Sequence, residues 1–481
     1  MRKFNLFGFI TLYGILFLII LYKVMNVPIT TDELPTVSYY SNFGFWEIMM
    51  YPDNIPNNHI LNTLLTKCCI ILFGKEQWAI RLPNLISFLF FSAGVFYILK
   101  LVVKQNSWFF LPAAILFVNP YFLDFFGLCR GYGISSTLVT ISVGFMIAGF
   151  LNKKSRYIWF SLISSILASY ANFTVLIFWV TITIMVLFYF FMESKGNLRS
   201  MIKPAVSLFL ISAAYLALIM VPIQKMHSTN EFKYWTSRGF YNETVKSMIN
   251  NWRYDSKLLS WINDPYLIGL MGLVILTNIL YFFNKLKKGK YSFHNYSHPT
   301  FVTSLLLLLP AFINIAQTKI LGTPNLSGRT ALFFFPLLST VIAVTFGLLP
   351  EFKKQWINKT AAIFIGVLLL SSFSYRVSLK SVREWYYDQN TTEVISLLKE
   401  KFNGKPVSLK TSWFFHPSFY FYVETGKASW IDLQPYDYNI DVTTPSEYYY
   451  IFAEDYKALK PRFEVVYKFS PDRWLLKQNT H

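Results

Sequence analysis

Eleven apolar runs dominate the chain, at residues 4–24, 80–103, 108–122, 131–151, 156–170, 172–192, 203–222, 263–283, 299–318, 330–349 and 360–376. An α-helix rises 1.5 Å per residue, so about twenty apolar residues cross a hydrocarbon core of about 30 Å. The pattern therefore predicts an all-α polytopic membrane protein with about eleven crossings. Several runs are shorter than a usual span, and a tilted or re-entrant helix would change that number by one or two. The 481 residues are 54% hydrophobic, 19% aromatic and only 14% charged, too apolar for a soluble core of this length.

Charge orients the spans. The formal charge of +19 does not point to nucleic acid, because Lys and Arg gather in short connections between apolar runs. With the N-terminus inside, the cytoplasmic connections carry Lys100 and Lys104; Lys153, Lys154 and Arg156; Lys195, Arg199 and Lys203; Lys285, Lys287, Lys288 and Lys290; and Lys353, Lys354 and Lys359. The first outside loop instead carries Asp32, Glu33, Glu47, Asp53 and Glu76 against Lys67, Lys75 and Arg81, an asymmetry that makes it extracytoplasmic. Arg2 and Lys3 precede the first run, and Tyr22 to Asn26 offers no small-residue cleavage site, so an uncleaved first helix is expected. Cys68, Cys69 and Cys129 match no metal or disulfide spacing and read as packing residues.

The run Ile60 to Phe73, roughly 21 Å as helix, is too short to span. Ile60, Leu61, Leu64, Leu65, Cys68 and Leu72 recur at helical spacing while Asn58, Asn62 and Lys67 fall elsewhere, the pattern of an interfacial helix. Residues 39–51, with Phe43, Trp46 and Met50, read as a second one. Of two later outside connections, 223–262 (Gln224, Lys225, Trp235, Arg238, Trp252, Arg253, Trp261) is expected to lie over a surface site, and the shorter 319–329 returns an arginine, Arg329, to the membrane face. From residue 377 the composition becomes that of a small α/β domain. It contains a helix at 391–402, strands at 407–411 and 448–452, and edge strands at 465–469 and 474–477. Parity places this domain, 377–481, outside the membrane beside a transmembrane domain at 1–376.

The chemistry centres on Asp32 and Glu33, just beyond the first span. Neighbouring carboxylates suit a division of labour, one accepting a proton from an attacking hydroxyl while the other holds the acceptor, a basic side chain or a divalent cation. The alternative is a pair of turn or helix-end carboxylates. Arg130, Arg81 and Arg329 fall on the same side, where guanidinium forks would suit a phosphate; snorkelling to headgroups is the competing explanation. His59 reads as a hydrogen-bonded polar residue more readily than as a metal ligand.

In order along the chain, Asp32-Glu33, Asn57-Asn58-His59-Ile60-Leu61-Asn62, Phe73-Gly74, Ala79-Ile80-Arg81-Leu82-Pro83, Arg130-Gly131-Tyr132-Gly133 and Gly328-Arg329 with Pro336 resemble a known family. They look like the C-type-fold (GT-C) membrane glycosyltransferases, in the group of protein O-mannosyltransferases and aminoarabinose transferases, glycosyltransferase families 39 and 83. The resemblance covers residues 1–380 and fits bacterial members more loosely in the trailing domain. It implies a bacterial inner-membrane enzyme that transfers a sugar, with inversion, from a polyprenyl-phosphate donor to a protein, lipid or glycan acceptor at a periplasmic active site. On that likeness Asp32 and Glu33 are catalytic; Arg130, Arg329 and Arg81 bind the lipid phosphate; His59 and Tyr132 line the substrate site. A divalent metal is left open, with Glu33 and His59 as its candidates. Where family members carry His-Pro-Pro or Lys-Pro-Pro, this chain has His59-Ile60-Leu61. A different class, a transporter or flippase of lipid-linked glycans, would hold its charges at mid-membrane between broken helices, whereas the charges here flank the spans.

Overall fold

The computed structural model describes residues 3–103, 107–195, 197–228, 237–254, 264–287, 296–349, 354–436, 446–460 and 462–479. Among them, seven helices are long and apolar enough to cross a membrane: Phe4–Asn26, Gln77–Val102, Gly131–Asn152, Phe173–Glu193, Leu198–Ser228, Pro299–Leu321 and Gln355–Arg376. This is a multi-pass membrane protein. The runs at 156–170 and 330–349 form the shorter helices Ser155–Ala171 and Phe334–Leu348, and the described part of the run at 263–283, from Asp264 on, lies within Asp264–Lys287. The run at 108–122 is not one helix: Ser107–Leu116 and Pro120–Gly127 meet at a 62° bend. Asn119 accepts the Tyr121 N–H and Pro120 opens the next helix, a fresh N-terminus where the apolar run read as continuous.

Apolar tails surround such a bundle, so burial alone does little to draw helices together and close polar contact does more. Ser142 and Ser161 bond to one another's carbonyls at 2.8 Å across the helix pair Gly131–Asn152 and Ser155–Ala171.

The helix Ile60–Phe73 is present, but its faces are distributed differently from the reading above. Ile60, Asn62, Thr63 and Thr66 are buried, whereas Leu65, Ile71, Leu72 and Phe73 are exposed. The polar side chains find partners inside: Asn84 donates to Asn62 Oδ1 at 2.8 Å and Thr63 to Asn58 Oδ1 at 2.8 Å. Cys129 is buried against Thr66, while Cys68 is exposed and does not pack as expected. An apolar outer face and a polar inner face suit a helix lying at the protein's lipid boundary. The second predicted interfacial helix is broken into turns over Pro35–Tyr39 and Tyr40–Asn42 and a short helix Phe45–Met49, started at Gly44 by the Glu47 carboxylate.

The last hundred residues build a five-stranded sheet from β1 (Val407–Thr411), β2 (Ile431–Leu433), β3 (Tyr448–Phe452), β4 (Phe463–Phe469) and β5 (Arg473–Gln478), ordered β2-β1-β3-β5-β4. The first three strands run parallel; β5 is antiparallel to both its neighbours. Hence β5 is interior, not an edge, which its buried Leu475 and Leu476 require. The helix Thr391–Phe402 stands where its periodicity placed it. The helix His416–Glu424 and the three-residue β2 were missed, because aromatic residues favour strands and so short a strand carries no alternation. One apolar cluster joins Leu409, Phe415, Phe419 and Tyr450 of this sheet domain to Ile29, Val37, Ile80 and Cys129 beside the membrane helices.

Candidate active site

The segment after the first span is fixed from two sides. On the membrane side, Glu33 is fully buried. It takes Arg81 Nε and Nη2 at 2.8 and 2.7 Å, the Thr30 N–H at 2.9 Å and the Cys129 N–H at 2.6 Å. Arg81, also fully buried, turns its remaining donors to the carbonyls that end the first helix and its exit, Val24, Val27 and Pro28. A cation at a helix C-terminus complements its dipole, and the carboxylate neutralises the cation. Two of the predicted site residues are therefore a structural pair. Arg81 has no fork left for a phosphate.

On the other side the sheet domain grips the same loop. Asp388 accepts the Thr31 N–H at 2.8 Å, Thr31 Oγ1 donates to the Phe414 carbonyl at 2.7 Å, and Ser418 donates to the Ile29 carbonyl at 2.6 Å. Burial pushes the Asp388 carboxyl well above the usual carboxylate range, against the opposing pull of the Thr31 hydrogen bonds, with Asp32 and Glu33 adding to the rise.

Held between these anchors, Asp32 points away from Glu33. Its Oδ2 lies 3.0 Å from Arg329 Nη2 and 3.8 Å from Arg130 Nη2. The side chains of Asp32 and Arg329 are 23% and 34% exposed, so a substrate can reach both. Arg130 is almost wholly buried and ties two loops together, donating from Nη1 to the carbonyl of Asp32 at 2.8 Å and to that of Asn57 at 3.3 Å. The glycines after it are sterically required. A Cβ on Gly131 would lie 2.0 Å from the Ala171 carbonyl oxygen and 2.9 Å from the His59 ring, and one on Gly133 would lie 2.7 Å from the Phe125 carbonyl oxygen. Tyr132 packs its ring edge-to-face on His59 at 4.9 Å. Burial, with the charges of Arg130 and Arg329, holds the His59 imidazole well below the ordinary histidine range.

Arg329 arrives from the predicted 319–329 connection. Gly328 adopts the left-handed φ of 54° and donates its N–H to Ser247 Oγ at 3.0 Å, so the helix Lys246–Arg253 fixes the turn. That helix belongs to the 223–262 connection, in which Trp235 and Trp261 lie outside the described residues. Lys225, expected there, ends the helix Leu198–Ser228 and donates to the Tyr51 carbonyl at 2.7 Å. The Arg329 guanidinium also lies over the Trp385 ring, 5.0 Å from its centroid. Trp385, Glu384, which accepts the Tyr121 hydroxyl, and Asp388 were not read from the sequence. Their one signal was position, directly after the last span.

Among the described residues no group of three or more His, Cys, Asp and Glu side chains is placed to hold a metal. Of the two candidates, Glu33 has both oxygens engaged by Arg81 and backbone or hydroxyl donors. With its carboxylate so engaged, Glu33 does not fit a divalent cation.

No family model matches the chain, and no curated protein does. Solved structures do. ArnT from Cupriavidus metallidurans, bound to undecaprenyl phosphate, superposes with a TM-score of 0.51 over 98% of this chain and 98% of its own, at 11% identity. The apo state of ArnT gives 0.51 over 98% and 97%, at 12% identity. The fold is that of ArnT. Archaeal oligosaccharyltransferase AglB from Archaeoglobus fulgidus, in complex with an inhibitory peptide and a dolichol-phosphate, covers 94% of this chain and 70% of its own at a TM-score of 0.48 and 11% identity. Because ArnT aligns over nearly the whole chain, the shared architecture takes in the C-terminal sheet as well as the helices. The C-type glycosyltransferase fold expected from the sequence is thereby met at the level of architecture.

Proposed function

We propose that this protein is a membrane glycosyltransferase that moves a sugar from a polyprenyl-phosphate donor to an acceptor hydroxyl on the extracytoplasmic side, with inversion. The observation that carries the reading is Asp32 Oδ2 set between Arg329 at 3.0 Å and Arg130 at 3.8 Å, on a loop that is otherwise immobilised. The fold shared with an undecaprenyl-phosphate-bound ArnT supports the donor class. The acceptor oxygen attacks the anomeric carbon, its proton passes to Asp32, and the bond from that carbon to the phosphate oxygen breaks. The departing lipid phosphate gains negative charge beside Arg329 and Arg130, and preorganised cations favour that state over the bound donor. A phosphate that engages Arg329 also takes over the partner of Asp32, freeing its carboxylate for the acceptor. Glu33 and Arg81 act behind this machinery by fixing the loop. The acceptor is a hydroxyl of a protein, a lipid or a glycan.

A transporter reading would draw on Lys23 and Asp124, a buried ion pair beside the bent helix pair. Asp124 also accepts the Tyr254 hydroxyl at 2.8 Å and the Arg383 N–H at 3.0 Å, an arrangement that suits a structural clamp better than a moving charge.

The deciding experiment is mass spectrometry of lipids, glycans and proteins from cells lacking the gene or carrying Asp32→Ala. Loss of one and the same glycoform in both strains is expected. Unchanged glycoforms would end the proposal.

A further inference from the structure

Beside the carboxylate and the arginines stands a row of aromatic rings that the reaction as written does not use. Tyr387 is half-buried, and its ring meets Phe414 edge-on with 5.3 Å between centroids. Phe414 in turn packs against Trp413, 3.8 Å between centroids. The row starts at the catalytic loop, since the Phe414 carbonyl accepts the Thr31 hydroxyl at 2.7 Å, one residue from Asp32. Burial and the charges of Asp388 and Asp32 push the Tyr387 phenol up, while the Thr31 side chain and Arg329 oppose them. Its hydroxyl therefore stands among the groups of the site.

The other end of the row is open. Trp413 is 36% exposed, whereas Phe415, two residues on, is fully buried against Tyr450 and Phe452. Phe415 thus closes the sheet core without help from the indole, although tryptophan is highly buried on average. An exposed indole continued by a phenyl and a phenol offers flat apolar faces with a hydroxyl at the inner end. A pyranose has the matching form, a face of C–H groups with a rim of hydroxyls. The row belongs to the sheet domain, which grips the loop from the side opposite the Glu33–Arg81 anchor. A polyprenyl donor comes to the arginines from the bilayer, so a ligand lying on the row meets Asp32 from the other direction, as an acceptor does.

We infer that Tyr387, Phe414 and Trp413 form a carbohydrate-binding ledge, on which the sugar units of a glycan acceptor lie while one of its hydroxyls reaches Asp32. The inference rests on the glycosyltransferase reading and narrows its acceptor to carbohydrate. Trp413 determines acceptor affinity and takes no part in making or breaking bonds.

The test uses full-length protein in nanodiscs: wild type, Trp413→Ala, Trp413→Leu and Trp413→Phe. Envelope glycans and delipidated proteins from cells lacking the gene are supplied separately, each with the lipid extract of those cells, which carries the donor. Mass spectrometry reads which molecules gain a sugar. We expect wild type to modify the glycans. Trp413→Ala should raise the glycan concentration for half-maximal transfer roughly five- to tenfold, the effect of one lost ring contact, at the same maximal rate. Trp413→Leu keeps an apolar side chain against Phe414 but has no flat face, and should match Trp413→Ala; Trp413→Phe should restore much of the affinity. Undecaprenyl phosphate binding and unfolding temperature should be unchanged in all three. Sugar gained only by proteins or lipids would overturn the ledge and leave the glycosyltransferase reading standing. Unchanged half-saturation in Trp413→Ala would overturn it too, as would full rescue by Trp413→Leu or a fall in maximal rate alone, which would assign Trp413 to packing. If wild type modifies nothing, the glycosyltransferase reading itself fails and the ledge falls with it.

Discussion

Adjacent residues Asp32 and Glu33 separate by environment: one reaches the outside, and the other is sealed against a buried arginine. Different consequences follow from removing each. Asp32→Asn should abolish turnover while leaving thermal stability in detergent nearly unchanged, because its ion pair is partly exposed and such pairs contribute little. Arg81→Met strands the Glu33 charge in the interior and should destabilise by about 3–5 kcal/mol, seen as a lower unfolding temperature. Pairing it with Glu33→Gln should restore part of that loss, since no uncompensated charge remains. Asp388 allows a pH prediction. Its carboxyl is raised in the folded protein, so the folded state holds the proton where the unfolded chain has lost it. Stability from this group is full below the unfolded pKa of about 3.9 and declines as pH rises towards the folded value. Relative to Asp388→Asn, wild type should lose stability on going from acid to neutral pH, measured as unfolding temperature against pH. A parallel pair of curves would refute it.

The helix Ile60–Phe73 shows what a lipid surround does to an amphipathic pattern. Its apolar residues look outward and its asparagine and threonines look inward, so the side that resembles a solvent face is the buried one. Asn62→Leu would leave Asn84 without its acceptor and should destabilise by about 1–3 kcal/mol, whereas Leu72→Ala on the outward face should change the unfolding temperature little. The turn that delivers Arg329 depends on Gly328 at a φ of 54°, a conformation that β-branched residues rarely adopt. Gly328→Val should therefore reduce activity by displacing Arg329, and weaker undecaprenyl phosphate binding would report that displacement directly.

For the molecule as a whole, the small C-terminal domain is part of the site's construction. It shares an apolar cluster with Ile29 and Cys129 and holds Thr31 through Asp388 and Phe414. A chain cut after Arg376 should lose activity even where the membrane helices still assemble, and the double change Thr31→Val, Ser418→Ala should lower turnover more than it lowers stability. The sequence by itself determined the multi-pass helical architecture and the trailing α/β region, and it singled out Asp32, Arg130 and Arg329, which the structure brings together. Hydropathy length and charge asymmetry are properties of contiguous residues, and the bilayer imposes them on the chain directly. Only the tertiary structure decided that Glu33 and Arg81 pair with each other, that the run at 108–122 is bent, that Asn62 points inward, that Trp385 lies under Arg329, and that Asp388 meets Thr31 from 357 residues away. Those outcomes depend on which distant groups compete for the same donor or the same buried volume, and no local pattern records that competition.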